Sequence, residues 1–554
     1  MPAPGLRSAD REQRLARLSA ERFDCLIVGG GITGAGLAHE AARRDLRVAL
    51  LEAGDFACGT SSRSSKLIHG GLRYLALGDV ATVRSTARER KVVRRLAPHL
   101  AEPCWMVVPT RSRAGLAKLR AAIAAYETLG QVEEADRHRN WSASDLAKGE
   151  PTLDRRLHPH ACVYREYRTH DARLVLANLR AAAGLGAQVL SRLPVRAVLR
   201  EGERATGVEA ECLESGARIR VRARSIVNAT GPWVDALRRL EQPEAQSRLH
   251  LSKGVHVVLR RERLPVRNIV ILGTDDRRSI FAVPRGEAVY VGTTDTTYRG
   301  AREAWPEIEP EDVDYLLAPL ARYFSVDRLG PEDVFSAWAG LRPLVAQAGK
   351  APSEISRHDE LWVGPAGVVT VAGGKLTGYR PMAERALARA AAEAGLRLAE
   401  APAEPDPLPG GQGAEDLEAL AAALRREHGG EAATAARLAR LYGSEASQVL
   451  ARGSEPLASG ARIVAGEVDW AVEMEDALHL EDLLYRRTAA ALYDPGVAQA
   501  VEPAALRMGT RLGWSQARRD AEVAAVRARS AADLAFKHHS KGGGEARSAQ
   551  EVRA

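Results

Sequence analysis

The chain has 554 residues, 45% apolar and 27% charged, which leaves out disordered, collagen-like and fibrous classes and implies roughly three or four domains rather than one core. Its 79 basic residues are spread along the whole length against 71 acidic ones, for a net charge of +8 and no aromatic-interleaved basic patch. No nucleic-acid partner is therefore expected, although an anionic substrate or membrane surface would be favoured. The five cysteines, Cys25, Cys58, Cys104, Cys162 and Cys212, are odd in number and form no C-x-x-C pair, so neither a disulfide framework nor a metal site is expected and a reducing cytosol fits.

Residues 8–22 are charged, lack the apolar stretch of a signal peptide, and predict a short surface helix in an N-terminal extension (1–22). Phe23–Val28, a Gly-rich turn, a helical stretch over 33–44 and a run over 47–51 read as a βαβ unit. Basic helices are predicted at 79–97 and 113–129. Short strands alternate with turns from 185 to 235 and end at Ser225–Ala229, and apolar runs between 250 and 300 predict an antiparallel sheet. Two further strands, a double glycine and a helix are expected over 360–398. The Pro/Gly-rich residues 401–413 read as a linker, 414–530 as a helical C-terminal domain, and 531–554 as a disordered tail. No run of about 18 apolar residues occurs, so no membrane span is expected. The fold class is α/β: a Rossmann-type domain and an antiparallel-sheet substrate domain interleaved over 23–400 (substrate part mainly 100–160 and 245–335), then the helical domain.

Gly29-Gly30-Gly31-Ile32-Thr33-Gly34 contains G-x-G-x-x-G, with Gly29, Gly31 and Gly34 at its fixed places, after a strand and before a helix. Such glycines permit a tight turn, close approach of pyrophosphate and close helix–strand packing, and the helix N-terminus adds free N–H groups and a positive dipole. Thr33 belongs to that turn. Glu52, at the end of the next strand, is placed to accept hydrogen bonds from the ribose of an adenine dinucleotide. Ser61, Ser62, Ser64 and Lys66 lead into His69-Gly70-Gly71, hydroxyls and glycines suited to phosphate and to the edge of a flat ring, which points to FAD rather than NAD.

The runs SSRSSKLIHGGLRYL (61–75), ATGPWVD (229–235), GTTDT (292–296), GLRPL (340–344) and AGGKLTGYR (372–380) resemble the respiratory, FAD-dependent glycerol-3-phosphate dehydrogenases of the D-amino-acid-oxidase-like flavoprotein superfamily, over about residues 22–398 and more weakly into the helical domain. The resemblance implies oxidation of glycerol 3-phosphate to dihydroxyacetone phosphate, hydride transfer to flavin N5, and a membrane quinone as acceptor. It also implies a cytoplasmic protein, peripheral on the inner face of the membrane. Arg73, Arg342, Arg357 and Lys375 are the implied cations for the substrate phosphate, with Tyr74 and Thr377 beside them; the planar fork of Arg suits phosphate. Gly374 and Leu376 are expected to contact the flavin through backbone, and Ala229 and Gly231 to form a second nucleotide-contacting turn. For the proton acceptor, His256 and His69 are the candidates; His69 suits flavin positioning, and Arg342 is an alternative that lowers the alcohol pKa without acting as a base.

Two departures from the family stand out. Gly378 occupies a place where relatives often carry Thr. The 105–129 region, rich in large apolar residues in membrane-bound relatives, is lighter and more basic here. Its helix, with Leu116, Leu119 and Ile123 on one side, suits either weak interfacial contact with an anionic membrane or a cover for the core. A homo-oligomer is compatible with the sequence. Rival readings are an O2-using oxidase of the same superfamily, acting on glycerol 3-phosphate, an amine or a hydroxy acid, and a non-catalytic flavin sensor.

Overall fold

The computed structural model describes residues 5–70, 79–302, 304–346, 359–400 and 406–539. Arg22–Val28 is apolar along nearly its whole length and is the centre of the first sheet. Such a run fits a parallel strand covered on both faces. It pairs in parallel with Val48–Leu51 on one side and with Arg218–Asn228 on the other. Gln188–Leu190 extends the sheet beyond Val48–Leu51, and Val369–Gly373 and then antiparallel Asp359–Val363 extend it beyond Arg218–Asn228. Ile32–Ala42 connects the first two strands, and Asp171–Gly184 and Tyr379–Ala394 pack beside it. The Val195–Glu201 and Arg204–Glu211 hairpin lies against the outer part of Arg218–Asn228.

Among the described residues the second sheet has ten strands, and its longest pairing is Leu249–Arg260 against Val334–Val345 at one side of it. It is antiparallel except where Ile269–Gly273 runs parallel to Ala101–Thr110. It takes in His160–Thr169 and reaches Val345, so the substrate part extends past both expected boundaries, 160 and 335. Leu67–Ile68 pairs with Arg168 and Tyr167, stitching the segment after the serine run onto this sheet.

The helical C-terminal part is not loosely tethered. Of the expected linker, 406–413 are described, and Leu408 is buried with its N–H donating to the Leu96 carbonyl at 2.8 Å. The N-terminal extension is fastened to the same part: Leu6 exchanges backbone hydrogen bonds with Met474 and Asp476, and Arg11 and Arg14 pair with Asp476. Buried ion pairs Arg173–Glu475 and Arg180–Glu445, both at 2.7 Å, join it to the Asp171–Gly184 helix. A π-helical turn over Asp482–Arg487 presents Arg486 and Arg487 to one buried carboxylate, Asp55.

One expectation is corrected. Residues 531–539, assigned to a disordered tail, include the end of the Gln516–Asp533 helix and a short helix Phe536–His539, held because Phe536 is buried in the core under the second sheet; 540–554 lie outside the described residues. The helix Arg113–Gly130, expected either to touch a membrane weakly or to cover the core, covers the core: Ile123 is fully buried and Leu116 and Leu119 pack against it. No helix among the described residues is long and apolar enough to cross one.

His479 bridges the C-terminal helices to the hairpin region, with Glu522 on Nδ1 and Glu214 on Nε2, each at 2.9 Å. Burial lowers its pKa and Arg192 adds to that, but the two carboxylates outweigh them and raise it to about 9. Arg518, 3.0 Å from Nδ1, is held nearby by Glu522. A raised folded value means the stabilisation is complete below the unfolded value of about 6.5 and is lost as pH rises through about 9. The midpoint of thermal unfolding should therefore decline from pH 6 to 9.5, and His479→Gln should remove about 2 kcal/mol at pH 6 together with that slope.

Candidate active site

The first sheet's strand ends converge on one cleft. Gly29 has φ of +114°, and a Cβ there would lie 2.5 Å from the Ala229 carbonyl oxygen; at Gly34 it would lie 1.9 Å from the Gly29 carbonyl oxygen. The helix Ile32–Ala42 can start this close to the strand only because both side chains are absent. Its first N–H, at Ile32, donates to Ser61 Oγ at 2.9 Å, so the serine run closes over the helix N-terminus. Glu52 accepts from Gly30 N–H at 2.6 Å and Gly54 N–H at 2.8 Å. Burial pushes its pKa up while those two amides pull it down.

Of the residues expected at a dinucleotide, Gly29, Gly31, Thr33, Glu52, Ser61, Ser64, Ala229, Gly231, Gly374 and Leu376 line this cleft, as does Lys375, expected at the substrate phosphate. They come from five separate stretches of chain. Gly34 acts behind it by packing. The His69 and Thr377 segments meet, Thr377 Oγ1 donating to the His69 carbonyl at 3.3 Å, and Gly70 is packed against Tyr126, whose hydroxyl would lie 2.1 Å from an added Cβ. Gly71, Arg73, Tyr74 and Arg357 lie outside the described residues.

Two residues expected at the cofactor do not line the cleft. The Lys66 ammonium is only 1% exposed and is committed to Asp171 Oδ1 at 2.7 Å and the Ser62 carbonyl at 2.6 Å. Burial lowers its pKa against the pull of Asp171. It holds the loop from behind and does not line the cleft. Ser62 is likewise buried and outside the lining. Ser64 both lines the cleft and donates to Asp171 at 2.7 Å.

Thr60 Oγ1 donates to the Leu341 carbonyl at 2.6 Å, fastening the serine run to the second sheet beside Arg342 and to Pro343, which lines the cleft. The Arg342 guanidinium lies across Gly254, where a Cβ would sit 2.2 Å from Nη2, and donates to Thr293 Oγ1 at 2.8 Å, the Thr294 carbonyl at 3.1 Å and Asp295 at 3.3 Å. The GTTDT turn thus aims this cation. His256 is two residues beyond Gly254 on the same face of the strand. It stacks on Trp338 (4.7 Å, 11°), and its Nε2 lies 2.9 Å from Ser65 Oγ. Burial, then Arg342 and Lys66, hold its pKa well below the ordinary histidine value, so the imidazole is neutral.

Trp233 was missed by the sequence reading. It lines the cleft, and its indole N–H donates to the Arg302 carbonyl at 2.7 Å. The available signal was an aromatic two residues past Gly231, directly after a strand end. The Gly-rich turn, the helix N-terminus, Glu52 and the facing glycines and lysine of 373–375 together suit a long anionic dinucleotide ending in a planar ring; the donors at one end and flat apolar walls at the other fit FAD.

Comparisons with known proteins follow this geometry. Residues 24–380 match the FAD dependent oxidoreductase family, and residues 403–519 match a family described as the C-terminal domain of alpha-glycerophosphate oxidase. The chain is 36% identical to the aerobic glycerol-3-phosphate dehydrogenase of Bacillus subtilis, over 92% of this chain and 95% of that one. It is 38% identical to that of Staphylococcus haemolyticus, over 80% and 82%. Among solved structures, the glycerol-3-phosphate dehydrogenase of Bacillus halodurans complexed with FAD superposes with a TM-score of 0.78 at 30% identity, over 95% of this chain and 98% of that one. The Mycoplasma pneumoniae L-alpha-glycerophosphate oxidase shares the fold, with a TM-score of 0.54 at 18% identity, over 69% of this chain and 97% of that one.

Gly34→Ala should drive the added methyl into the Gly29 carbonyl and move the helix start off its seat. The purified variant is expected to be colourless, with a flavin-to-protein ratio well below that of the parent; full flavin occupancy would contradict the packing role.

Proposed function

The chain belongs to the FAD dependent oxidoreductase family, and from that premise we propose that it oxidises sn-glycerol 3-phosphate to dihydroxyacetone phosphate and passes the electrons to a membrane quinone, working at the inner face of the membrane. The observation that carries this reading is the meeting of the serine run, the GLRPL strand and the GGKLT turn at one rim, with Lys375 lining the cleft and Arg342 aimed by Thr293, Thr294 and Asp295. A phosphomonoester carries nearly two charges at neutral pH, and in this proposal Arg342 and Lys375 bind it together, better than isolated surface charges do. Arg73 and Arg357 complete the phosphate site in this proposal, with Tyr74 and Thr377 beside it. FAD, when bound, accepts the hydride from the carbinol carbon.

The protein's own part is to hold the substrate by its phosphate, to orient its secondary alcohol toward the flavin, and to remove the hydroxyl proton. Neutral His256 is the acceptor in this reading, acting through the Ser65 hydroxyl at 2.9 Å, while Arg342 favours the alkoxide electrostatically. His69 supports the ring through its backbone. Because the His256 pKa is lowered, the acceptor stays unprotonated as pH falls through about 6.5.

The description of the family matching residues 403–519 names an oxidase, which favours a second reading in which O2 is the acceptor. Peroxide release under air at a rate matching turnover, with no reduction of a quinone analogue, would establish that alternative.

Arg342→Ala should keep its flavin yet lose roughly 100-fold in kcat/KM for glycerol 3-phosphate, the value of one or two charge-assisted hydrogen bonds. Anaerobic mixing with substrate, followed in the visible flavin band, measures it, and unchanged bleaching would displace Arg342 from the site. In the parent protein, the rate of flavin reduction should show no acid limb near pH 6.5, and His256→Gln should slow it; a limb centred there would mean that an ordinary histidine is the acceptor.

A further inference from the structure

A second cavity of 320 Å3 lies between the second sheet and the C-terminal helices and shares no residue with the cofactor cleft. Seven arginines line it against three carboxylates. The carboxylates are already engaged: Glu102 bridges Arg168 and Arg440, Glu287 takes Arg462, and Asp494 accepts the backbone N–H groups of Arg462 and Gly496. Among the described residues, Arg261 and Arg285 have no carboxylate at ion-pair distance and donate from their side chains to the carbonyls of Gly286 and Thr169, while Arg267, at the exposed rim, donates from its side chain to the Lys148 carbonyl and from its backbone N–H to Glu150.

The uncharged groups on the wall are unsatisfied in the same sense. The Thr169 hydroxyl, His170 Nε2 and Tyr493 hydroxyl are buried atoms without a hydrogen-bond partner, and Thr169 and His170 are 2% and 3% exposed. His170 Nδ1 accepts the Arg173 N–H at 3.4 Å, so the neutral ring carries its proton on Nε2, a donor with nothing to donate to. Burial, with Arg285, Lys66 and Arg173 nearby, keeps that ring neutral. Arg285 stacks on Tyr493 at 4.9 Å, which sets its guanidinium plane against the hydroxyl-bearing ring. Buried donors without acceptors are costly unless an anion supplies the acceptors, and the neighbouring cations favour that anion.

We propose that this cavity binds a small, multiply charged anion of the phosphorylated-metabolite class, held by Arg261, Arg267 and Arg285 and by the donors of Thr169, His170 and Tyr493. The buried donor atoms of Thr169, His170 and Tyr493 favour a soluble molecule over a lipid headgroup. The site is wired to the cofactor loop: Asp171, next to His170, takes Lys66 and Ser64 of the serine run.

The test uses the full-length FAD-bound protein with pyrophosphate as probe, in chloride buffer of constant ionic strength. Binding is read by calorimetry and by the rise in thermal midpoint. The expected result is a saturable rise that persists in Arg342→Ala, whose substrate phosphate site is disabled, and an apparent Kd weakened about tenfold by Tyr493→Phe and by Arg285→Gln. Tyr493→Phe removes a single oxygen and decides the matter if Arg285→Gln fails to fold. Loss of the rise in Arg342→Ala with retention in Tyr493→Phe would assign pyrophosphate to the catalytic rim and overturn the proposal. An equal rise from matched sodium chloride would overturn it too, as would a response to anionic phospholipid vesicles in the absence of any response to pyrophosphate.

Discussion

Everything at the cleft depends on how closely the Ile32–Ala42 helix approaches the end of the Arg22–Val28 strand. The contact leaves no room for side chains at positions 29 and 34, where an added Cβ would fall 2.5 Å and 1.9 Å from carbonyl oxygens. That proximity places the helix N-terminus, with its unpaired N–H groups and positive dipole end, at the mouth of a parallel sheet. Ser61 reaches the Ile32 N–H and Glu52 reaches the Gly30 N–H because the backbone is pinned there, so the cofactor loop is built on a fixed base rather than beside it.

The loop over residues 52–70 is then the hub of the molecule. It is bonded to the second sheet through Thr60–Leu341 and Ser65–His256, to the Asp171–Gly184 helix through Ser64 and Lys66, and to the C-terminal helices through Asp55. Most of these ties involve buried charge. A buried ion pair gains little net stability over apolar packing, but breaking one side leaves an uncompensated charge costing about 3–5 kcal/mol. These ties hold the loop to the second sheet, to the Asp171–Gly184 helix and to the helical part at once. The C-terminal helices therefore share in shaping the cofactor loop although none of their residues lines the cleft.

The two sheets divide the chemistry. The first carries dinucleotide-shaped features, and the second carries Arg342 and His256 on one face, separated by Gly254, with the GTTDT turn bracing the guanidinium. Stacking on Trp338 and complete burial make His256 a rigid neutral imidazole rather than a solvated switch. The donor-rich cavity stands behind that aromatic group, where the tilted rings of Tyr290 and Tyr493 continue the aromatic cluster toward Arg285.

The sequence by itself determined the local features: the βαβ unit, the glycine turn, the acid at Glu52, the helical C-terminal region and the motifs that identify the family. These are legible because turn chemistry, hydrophobic period and close backbone approach act between neighbours in the chain. It did not determine which polar residues face the cleft. Lys66 sits within the same motif as Ser61, yet its ammonium turns inward to an aspartate 105 positions away. Phe536 reads as part of a polar tail, yet it fills the core under the second sheet, and the side of the 113–130 helix that suited a membrane packs inward. The pairing of Asp55 with Arg486 and Arg487 spans more than 430 positions. Only the tertiary structure decides such choices, because burying a charge or an apolar side chain is favourable only once a distant partner is in place to receive it.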